Sequence, residues 1–585
     1  MKELKSLNKY FFKYKSRILL GILITIVARI FALVTPNLIG DSITILENYI
    51  ISESIAVDLV KERLFRNIFI IIGSAILAGI FTFIMRQMLI NVSRFIEFDL
   101  KNEIYKKYQI LNFEFYKNNR TGDLMNRVSE DVSKVRMYIG PAIMYTINTI
   151  TLFIIVISYM FSVAPKLAMF SLIPLPLLSF VIYKISVLIH NKSTIVQEFL
   201  SKLTNFTQES FSGVKIIKAY NIENRINKKL EKIASSSREK NMSLAKVQAL
   251  FFPLMILLIG LSNVLVIYVG GNQYMNNQIE LGILAEFIIY VNMLTWPVAT
   301  VGWVTSIVQQ AEASQKRINE FLKSNSIIIY NKKNNDKING NITFKNVDFT
   351  YPETNIQALK KISFSVKKGE SVAIMGDVGS GKSTLVELIC KVYSPDDGQI
   401  FIDNINIEKV NLKNLRNSIG YVPQHTFLFS DTIENNIKFG ANEADEKNVI
   451  EFAKKSCLDK DVQVFKDKYQ TLLGERGVNL SGGQKQRLSI ARALIKKPQI
   501  LILDDSLSAL DNETEKKIIS NIKQLNKKTT LIITTHRISA AKNCSKILFL
   551  KSGNIVEFGS HKELINLKAN YWNIVKKQMT KKEII

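Results

Sequence analysis

Six long apolar stretches constrain this chain more than any other feature, because each is long enough to cross a membrane. A helix needs about 20 mostly apolar residues to span the hydrocarbon core of a bilayer. The stretches lie near residues 17–40, 67–90, 139–163, 165–189, 248–271 and 282–308. They predict a membrane-embedded α-helical bundle, with the lipid bilayer as partner, over the first half of the chain.

The charged residues between these stretches predict how the bundle is oriented. Residues 91–138 and 190–247 are long, basic and rich in helix formers, whereas the 270–281 connection has no Lys or Arg. Because basic loops remain on the cytoplasmic side, both long stretches are predicted to be cytoplasmic extensions of the membrane helices. The N-terminus and the chain after residue 310 are expected on the same side, which makes this a multi-pass protein of the cytoplasmic (inner) membrane.

The net charge of +27 fits either nucleic acid or an anionic membrane surface as partner. The basic residues are dispersed and accompany apolar spans, so we predict a membrane and no nucleic-acid partner. The basic N-terminus could also begin a signal peptide, but no small-residue cleavage site follows it. The three cysteines and four histidines are too scattered to predict a disulfide framework or a metal site.

The second half has the composition of a soluble α/β domain. It opens with NITFKNVDFTY and ALKKISFSV, which alternate like antiparallel strands, and then alternates between strand and helix patterns. We predict a membrane domain over residues 1–325 and a cytosolic domain over 326–585. The polar residues 331–341 are interpreted as a linker or surface loop.

A phosphate-binding loop is predicted at residues 376–383, which match G-x-x-x-x-G-K-S between a strand-like and a helix-like segment. In this context, backbone N–H groups and the helix N-terminus surround the phosphates. Lys382 supplies charge to the β- and γ-phosphates, and Ser383 ligates Mg²⁺. ATP and Mg²⁺ are therefore the predicted cofactors. The predicted nucleotide-binding residues of this segment are Gly376, Asp377, Val378, Gly379, Ser380, Gly381, Lys382, Ser383 and Thr384.

Residues 501–511, LILDDSLSALD, place two adjacent acids after an aliphatic run. Asp504 would end a buried strand and hold Mg²⁺ beside Ser383, since Mg²⁺ prefers one or two carboxylates together with phosphate oxygens and waters. Asp505, the adjacent second acid, suggests a second role in the same site.

Between these motifs lies LSGGQKQR, at residues 480–487, and here the chain resembles the ATP-binding-cassette (ABC) family. Six spans followed by one cassette resemble the half-transporter plan of the family's exporters. The resemblance implies ATP-driven export by alternating access in a head-to-tail dimer, in which the signature of one chain completes the ATP site of the other. The signature residues expected to contact ATP are Ser481, Gly482, Gly483 and Gln484.

Four further residues take their expected roles from the resemblance. Tyr351 in FTYPE would stack on adenine, and Gln424 in YVPQHTFLF would touch Mg²⁺ and sense the γ-phosphate. Asp511, which ends the loop after the second acid, and His536 in ITTHR, the switch histidine, are expected to be catalytic together with Gln424. The stretches FYKNNRTGDLMNRVSEDVSKVR and ESFSGVKIIKAYNIENR resemble cytoplasmic loops whose short coupling helices press into the cassette.

Asp505 departs from the family pattern, because exporters of this family usually carry Glu there. The resemblance implies that the acid at this position is catalytic and polarises the attacking water. Asp is one methylene shorter, and a misplacement of about 1 Å can cost about a hundredfold in rate. In heterodimeric multidrug exporters, one subunit carries Asp with an intact signature, and this chain resembles that degenerate-site subunit. We therefore favour a heterodimer with a second half-transporter over a homodimer.

Three alternatives to a heterodimeric exporter can be weighed against the sequence. One is a homodimeric exporter of lipid or peptide with slow ATPase activity, and another is a regulatory membrane ATPase that transports nothing. The third, a cytosolic DNA-handling ATPase, conflicts with the six apolar spans. The transported substrate is not readable from the sequence, and the favoured class is a multidrug or lipid-type exporter.

Overall fold

The computed structural model describes residues 2–51, 56–324, 337–441, 443–474, 477–525 and 528–583. The chain forms two compact units, which we call the membrane unit and the cassette unit. The membrane unit comprises Met1–Ile110 and Asn119–Asn325, and the cassette unit comprises Leu111–Asn118 and Ser326–Ile585. The proposed division at 325/326 and most of the predicted linker lie outside the described residues.

The described residues of the membrane unit form six helical stretches that are long and apolar enough to cross a bilayer, as predicted. They are between 37 and 54 residues long, so the longest spans roughly 80 Å at 1.5 Å per residue, far more than the ~30 Å hydrocarbon core. The predicted extensions beyond the membrane are therefore helical. The first to sixth membrane helices are Lys15–Ile51, Val57–Ile110, Thr121–Val163, Pro165–Ser212, Glu223–Met275 and Leu281–Leu322.

A short N-terminal segment precedes the first membrane helix. It consists of a 3₁₀ turn, Glu3–Leu7, and a helix, Asn8–Lys13. Leu4, Leu7 and Tyr10 are buried, whereas Phe12 is 73% exposed. The segment is thus an amphipathic lead-in that packs one face against the membrane unit.

The first and sixth membrane helices pack closely at two glycines. A Cβ atom added to Gly282 would lie 2.0 Å from the backbone oxygen of Gly40, so neither helix tolerates a side chain there. Such small-residue contacts bring helix backbones together in membranes. Next to this contact, the buried side chain of Glu286 accepts hydrogen bonds from Tyr290, at 2.6 Å, and Asn37, at 3.3 Å.

The cassette unit contains two sheets. The first has the order β2-β1-β4-β5, with antiparallel pairing, and the second has the order β10-β9-β3-β8-β7-β6, with parallel pairing from β9 to β6. The antiparallel pair and the parallel core that the sequence predicts are both present. The strands are β1 Ile342–Tyr351, β2 Ile356–Val366, β3 Ser371–Gly376, β4 Asp397–Ile402, β5 Ile405–Asn406, β6 Ile419–Val422, β7 Ile500–Asp504, β8 Thr530–Thr534, β9 Lys546–Lys551 and β10 Asn554–Gly559.

Helices cover the cassette sheets and divide its interior into two apolar cores. The helix Lys382–Ile389 packs on β2, β3 and β7 in one core, and the helix Gly482–Leu494 packs on two helices in the other. The helices of this unit are Phe113–Asn118, Lys382–Ile389, Leu412–Ser418, Ile433–Lys438, Glu446–Lys455, Asp459–Val462, Gly482–Leu494, Asn512–Leu525, Ile538–Ala541, His561–Asn566 and Asn570–Glu583.

Candidate nucleotide-binding site

The strand order of the parallel sheet brings the predicted site residues to one edge. In the order β3-β8-β7-β6, the P-loop follows β3, His536 follows β8, Asp504 ends β7 and Gln424 follows β6. Ligands of open α/β sheets bind at the carboxyl ends of the strands. The P-loop and His536, which are more than 150 residues apart in sequence, thus become neighbours.

Two glycines of the P-loop occupy conformations that exclude side chains. Gly376 has φ +147°, and a Cβ there would lie 2.1 Å from the Leu550 oxygen. Gly381 has φ +99°, and its Cβ would lie 2.6 Å from the Ala358 oxygen. Between them, the Ser380 hydroxyl is buried without a hydrogen-bond partner among the described residues. The Ser380 hydroxyl can therefore donate a hydrogen bond to a ligand, in a loop whose backbone conformation suits a phosphate group.

The Lys382 side chain folds back over this loop. Its Nζ donates to the backbone oxygens of Gly376, at 2.9 Å, and Asp377, at 2.7 Å. Burial lowers the pKa of this ammonium, while the nearby carboxylates of Asp505, Asp377 and Asp504 act in the opposite direction. A partly desolvated cation beside the hydrogen-bond donors of the P-loop suits a polyanion such as a nucleoside triphosphate.

A hydroxyl and a carboxylate meet beside the loop. Ser383 Oγ donates to Asp504 Oδ1 at 3.2 Å, and Thr534 Oγ1 donates to the same oxygen at 2.6 Å. Asp504 is only 3% exposed. Hard oxygen donors of this kind fit Mg²⁺, which uses few protein ligands beside phosphate. In the described part of the chain, Gln424 is exposed after β6 and makes no hydrogen bond to Ser383 or Asp504.

Asp505 is held firmly at the end of β7. It has φ +43°, and its N–H lies 2.8 Å from Thr534 Oγ1 and 3.2 Å from the Thr534 oxygen. Its own oxygen accepts from Ser508 Oγ at 2.8 Å. The carboxylate faces His536, with 3.3 Å between Oδ1 and Nδ1. The structure thus brings Asp505 and His536 together, next to Asp504.

Asp511 occupies a different position, at the start of the helix Asn512–Leu525. Its carboxylate accepts hydrogen bonds from the N–H groups of Thr514, at 2.9 Å, and Glu513, at 3.0 Å. These bonds, that from Thr514 first, lower the pKa of Asp511. Here the side chain acts as a helix cap, so its expected catalytic role stays a proposal.

Two residues that the sequence did not single out hold the His536 segment in place. Arg537 donates to the Ser508 oxygen at 2.5 Å and pairs at 3.0 Å with the fully buried carboxylate of Glu515. Gln578, in the C-terminal helix, donates to the His536 oxygen at 2.7 Å. Arg537 therefore ties the histidine loop to the loop after Asp505. In the sequence, only the position of Arg537 next to His536 points to this role.

The signature residues begin a helix through a capping box. Ser481 Oγ accepts from the Gln484 N–H at 3.3 Å, and Gln484 Oε1 accepts from the Ser481 N–H at 2.9 Å. Gly482 and Gly483 form the first turn, where backbone N–H groups favour anions. Because this helix and the P-loop helix pack in separate cores, the two elements predicted to bind phosphate lie in different parts of the cassette unit.

Tyr351 ends β1 beside the P-loop helix. Its hydroxyl lies 2.8 Å from Thr384 Oγ1 and donates to Glu387 Oε2 at 3.1 Å. Burial raises the pKa of Tyr351 to about 12, so the phenol stays neutral. A fixed aromatic ring at this position can stack on a nucleotide base.

The short helix Phe113–Asn118 belongs to the cassette unit and reaches the same tyrosine. Lys117 Nζ lies 4.4 Å from the Tyr351 ring centroid and 3.5 Å from Glu353 Oε2. Phe113 packs edge-on against Tyr393, with centroids 6.2 Å apart. The predicted first coupling helix therefore contacts the surroundings of the expected adenine site.

This fold and site define a membrane-anchored P-loop ATPase, and comparison with known proteins specifies its class. Residues 18–298 match the family described as ABC transporter transmembrane region, and residues 359–508 match the family described as ABC transporter. The chain is 36% identical over 575 residues to the multidrug resistance-like ATP-binding protein MdlA of Buchnera aphidicola, covering 98% of both chains.

Two further similarities agree. The chain is 34% identical to the probable multidrug resistance ABC transporter ATP-binding/permease protein YheI of Bacillus subtilis, covering 97% of this chain and 96% of that one. A solved bacterial Atm1-family ABC exporter with ATP bound has the same fold, with a TM-score of 0.79, 23% identity and coverage of 96% and 99%.

The chain belongs to the ABC transporter family. Within it, this is an exporter-type protein with fused membrane and ATP-binding parts, a transport-coupled ATPase that drives export. It is a multi-pass protein of the inner membrane with its ATPase unit in the cytosol.

This topology predicts which introduced cysteines react in intact cells. Lys229→Cys lies in the exposed part of the fifth membrane helix that is predicted to be cytoplasmic, and Asn277→Cys lies in the exposed external connection. We expect an impermeant thiol reagent to label the second and to spare the first until the cells are permeabilised. Labelling in the reverse order would overturn the orientation. Two of the three native cysteines, Cys390 and Cys544, are buried.

Proposed function

We propose that the cassette unit binds and hydrolyses ATP with Mg²⁺ at the edge of the parallel sheet. Lys382 and the P-loop N–H groups would hold the phosphates, while Ser383 and Asp504 would ligate the metal. The hydrogen bond from Ser383 Oγ to Asp504 Oδ1, 3.2 Å long, supports this most directly, because it brings the two proposed metal ligands together. The remaining predicted contacts, Tyr351 with adenine and Gln424 with the metal, complete the site.

The acting form would be a head-to-tail dimer of half-transporters. The helix that starts at Ser481 presents the N–H groups of its first turn and the Ser481 hydroxyl, and it packs in a different core from the P-loop helix. A second chain would bring its bound ATP to these groups, so that ATP joins the two cassettes and hydrolysis releases them. Alternating access of the membrane units would follow these two states.

We favour a heterodimer because of how Asp505 is held. A backbone shift could bring its shorter side chain to the attacking water, but the Asp505 N–H is bonded to Thr534 and its oxygen to Ser508. A general base must lie about 2.6–3.2 Å from the proton it takes, or reach it through one water. The missing methylene would leave this site slow, while the intact signature would serve a faster site on a Glu-bearing partner.

The proposed cargo is a drug or a lipid. The first fits the names of the multidrug resistance relatives, and the second fits the name of a 33% identical relative, the ATP-dependent lipid A-core flippase of Syntrophus aciditrophicus. The test is ATP-dependent accumulation of a fluorescent amphipathic dye in inverted membrane vesicles, with this chain expressed alone and with a Glu-bearing half-transporter. Accumulation with the pair is expected. Failure of a broad panel of dyes and labelled lipids to move, despite ATP turnover, would favour the regulatory alternative.

Lys117 gives a separate test of coupling between the membrane unit and ATP. Lys117→Met keeps the aliphatic stem but removes the ammonium near Tyr351 and Glu353, whose carboxylate oxygens are buried. We expect transport per ATP hydrolysed to fall several-fold, because the loop would no longer be fixed by charge to the adenine end. Lys106→Met, at an exposed lysine of the preceding helix, is the matched control and should leave the ratio unchanged. An unaltered ratio in Lys117→Met would remove this contact from the coupling route.

A further inference from the structure

A groove in the membrane unit lies apart from the nucleotide site and is not explained by ATP chemistry. It has a volume of about 520 Å³, within the range of small-molecule sites. Its walls come from the N-terminal helix, the start of the first membrane helix, the second membrane helix at Leu89 and Val92, and the third from Tyr138 to Ile147. We call it the N-terminal groove.

The N-terminal groove lies at the cytoplasmic boundary of the membrane. Its wall residues fall at the beginning of the first apolar span, the end of the second and the beginning of the third, which are the cytoplasmic ends of all three. The surface around it is apolar: Phe12 is 73% exposed and Leu19 is 64% exposed. Such side chains face acyl chains when a bilayer surrounds the protein.

One cation lines the groove without a partner. Lys9 pairs with Glu103 at 2.7 Å and Lys13 with Asp99 at 2.6 Å. Arg17 lies over the Phe95 ring at 4.9 Å. By contrast, Lys15 is exposed, lines the groove and makes no ion pair or hydrogen bond with any side chain in the described part of the chain.

The described wall residues include no Asp or Glu. A mostly apolar groove whose described walls carry the unpaired ammonium of Lys15 is complementary to an acyl chain with an anionic head. The cytoplasmic leaflet supplies this ligand, because its anionic lipids attract basic segments next to membrane helices. We propose that the N-terminal groove binds one anionic phospholipid, with an acyl chain between the first three membrane helices and its phosphate at Lys15.

The test is native mass spectrometry of the purified full chain in micelles with equal amounts of phosphatidylglycerol and phosphatidylcholine of identical acyl chains. The parent is expected to retain one phosphatidylglycerol in preference to phosphatidylcholine by about fivefold, the effect of one basic residue near an anionic surface. Lys15→Gln should abolish the preference, and Lys15→Arg should keep it.

Two further variants separate a site from diffuse charge. Lys5→Gln removes an exposed lysine of the same N-terminal segment that does not line the groove, and the preference should survive. Ile143→Trp narrows the groove and should reduce retention of both lipids. Equal retention of the two lipids by the parent, an unchanged preference in Lys15→Gln, or an equal loss in Lys5→Gln would each overturn the proposal.

Discussion

Lys382→Ala is expected to weaken ATP binding to this chain by about 100-fold or more. The Lys382 ammonium is partly buried and already lies on the P-loop oxygens of Gly376 and Asp377. It would supply charged hydrogen bonds to two phosphates, each contributing roughly 1.5–3 kcal/mol, and every 1.4 kcal/mol is about tenfold in affinity. The measurement is a fluorescent ATP-analogue titration of the purified chain.

The control is Lys367→Ala, which removes an exposed lysine of the same cassette. It should bind the analogue as the parent does, and thermal unfolding should show that both variants are folded. An affinity of folded Lys382→Ala within twofold of the parent would refute the P-loop assignment.

The sequence could predict the strand and the loop of this candidate site because both motifs lie where strands of the parallel sheet end. An aliphatic run followed by an acid predicts a buried strand with a carboxylate at its end, and β7 with Asp504 is such a strand. The glycine spacing of residues 376–381 likewise predicts a loop without side chains, and Gly376 has no room for one. Both rules depend only on residues that are neighbours in the chain, so a single sequence is enough to apply them.

Contacts that depend on tertiary packing could not be predicted from such local sequence patterns. Glu515 is fully buried and pairs with Arg537, yet in the sequence it is one of two acids in the first turn of an amphipathic helix. Glu286 lies inside a predicted span, and only the approach of Gly40 and Gly282 explains why it is buried beside Asn37. Partners from distant segments are set by the tertiary fold, which no local pattern encodes.

The lengths of the membrane helices are a further feature that the apolar pattern alone did not predict. Hydropathy located the six membrane spans but could not give their ends, because the helices continue through the polar residues outside the bilayer. The second membrane helix runs from Val57 to Ile110, although its apolar part is confined to residues 67–90. Once a helix is nucleated in the membrane, each further residue adds a backbone hydrogen bond, so polar helix formers extend it.

Ser481→Ala is expected to reduce the ATPase rate of a complex with a Glu-bearing partner at least tenfold. In the proposed heterodimer, the Ser481 hydroxyl completes the faster site, which the partner's P-loop and Glu form. The substitution also removes a helix cap, at a cost of about 1 kcal/mol in stability. Ser560→Ala removes an equivalent capping box from the helix His561–Asn566, so it controls for stability and should leave the rate unchanged.

Asp505→Glu tests the other half of the same asymmetry. In the complex, the substitution should change total turnover less than twofold, because the partner's Glu already carries the fast chemistry. For the chain purified alone, which can form only homodimers, it should raise a slow rate by about tenfold or more, since the added methylene brings the carboxylate to its water. The measurement is phosphate release at saturating ATP for both preparations. Fast hydrolysis by the unmodified chain alone, with no gain from Asp505→Glu, would mean that the shorter acid reaches its water despite the Thr534 and Ser508 hydrogen bonds that fix its backbone.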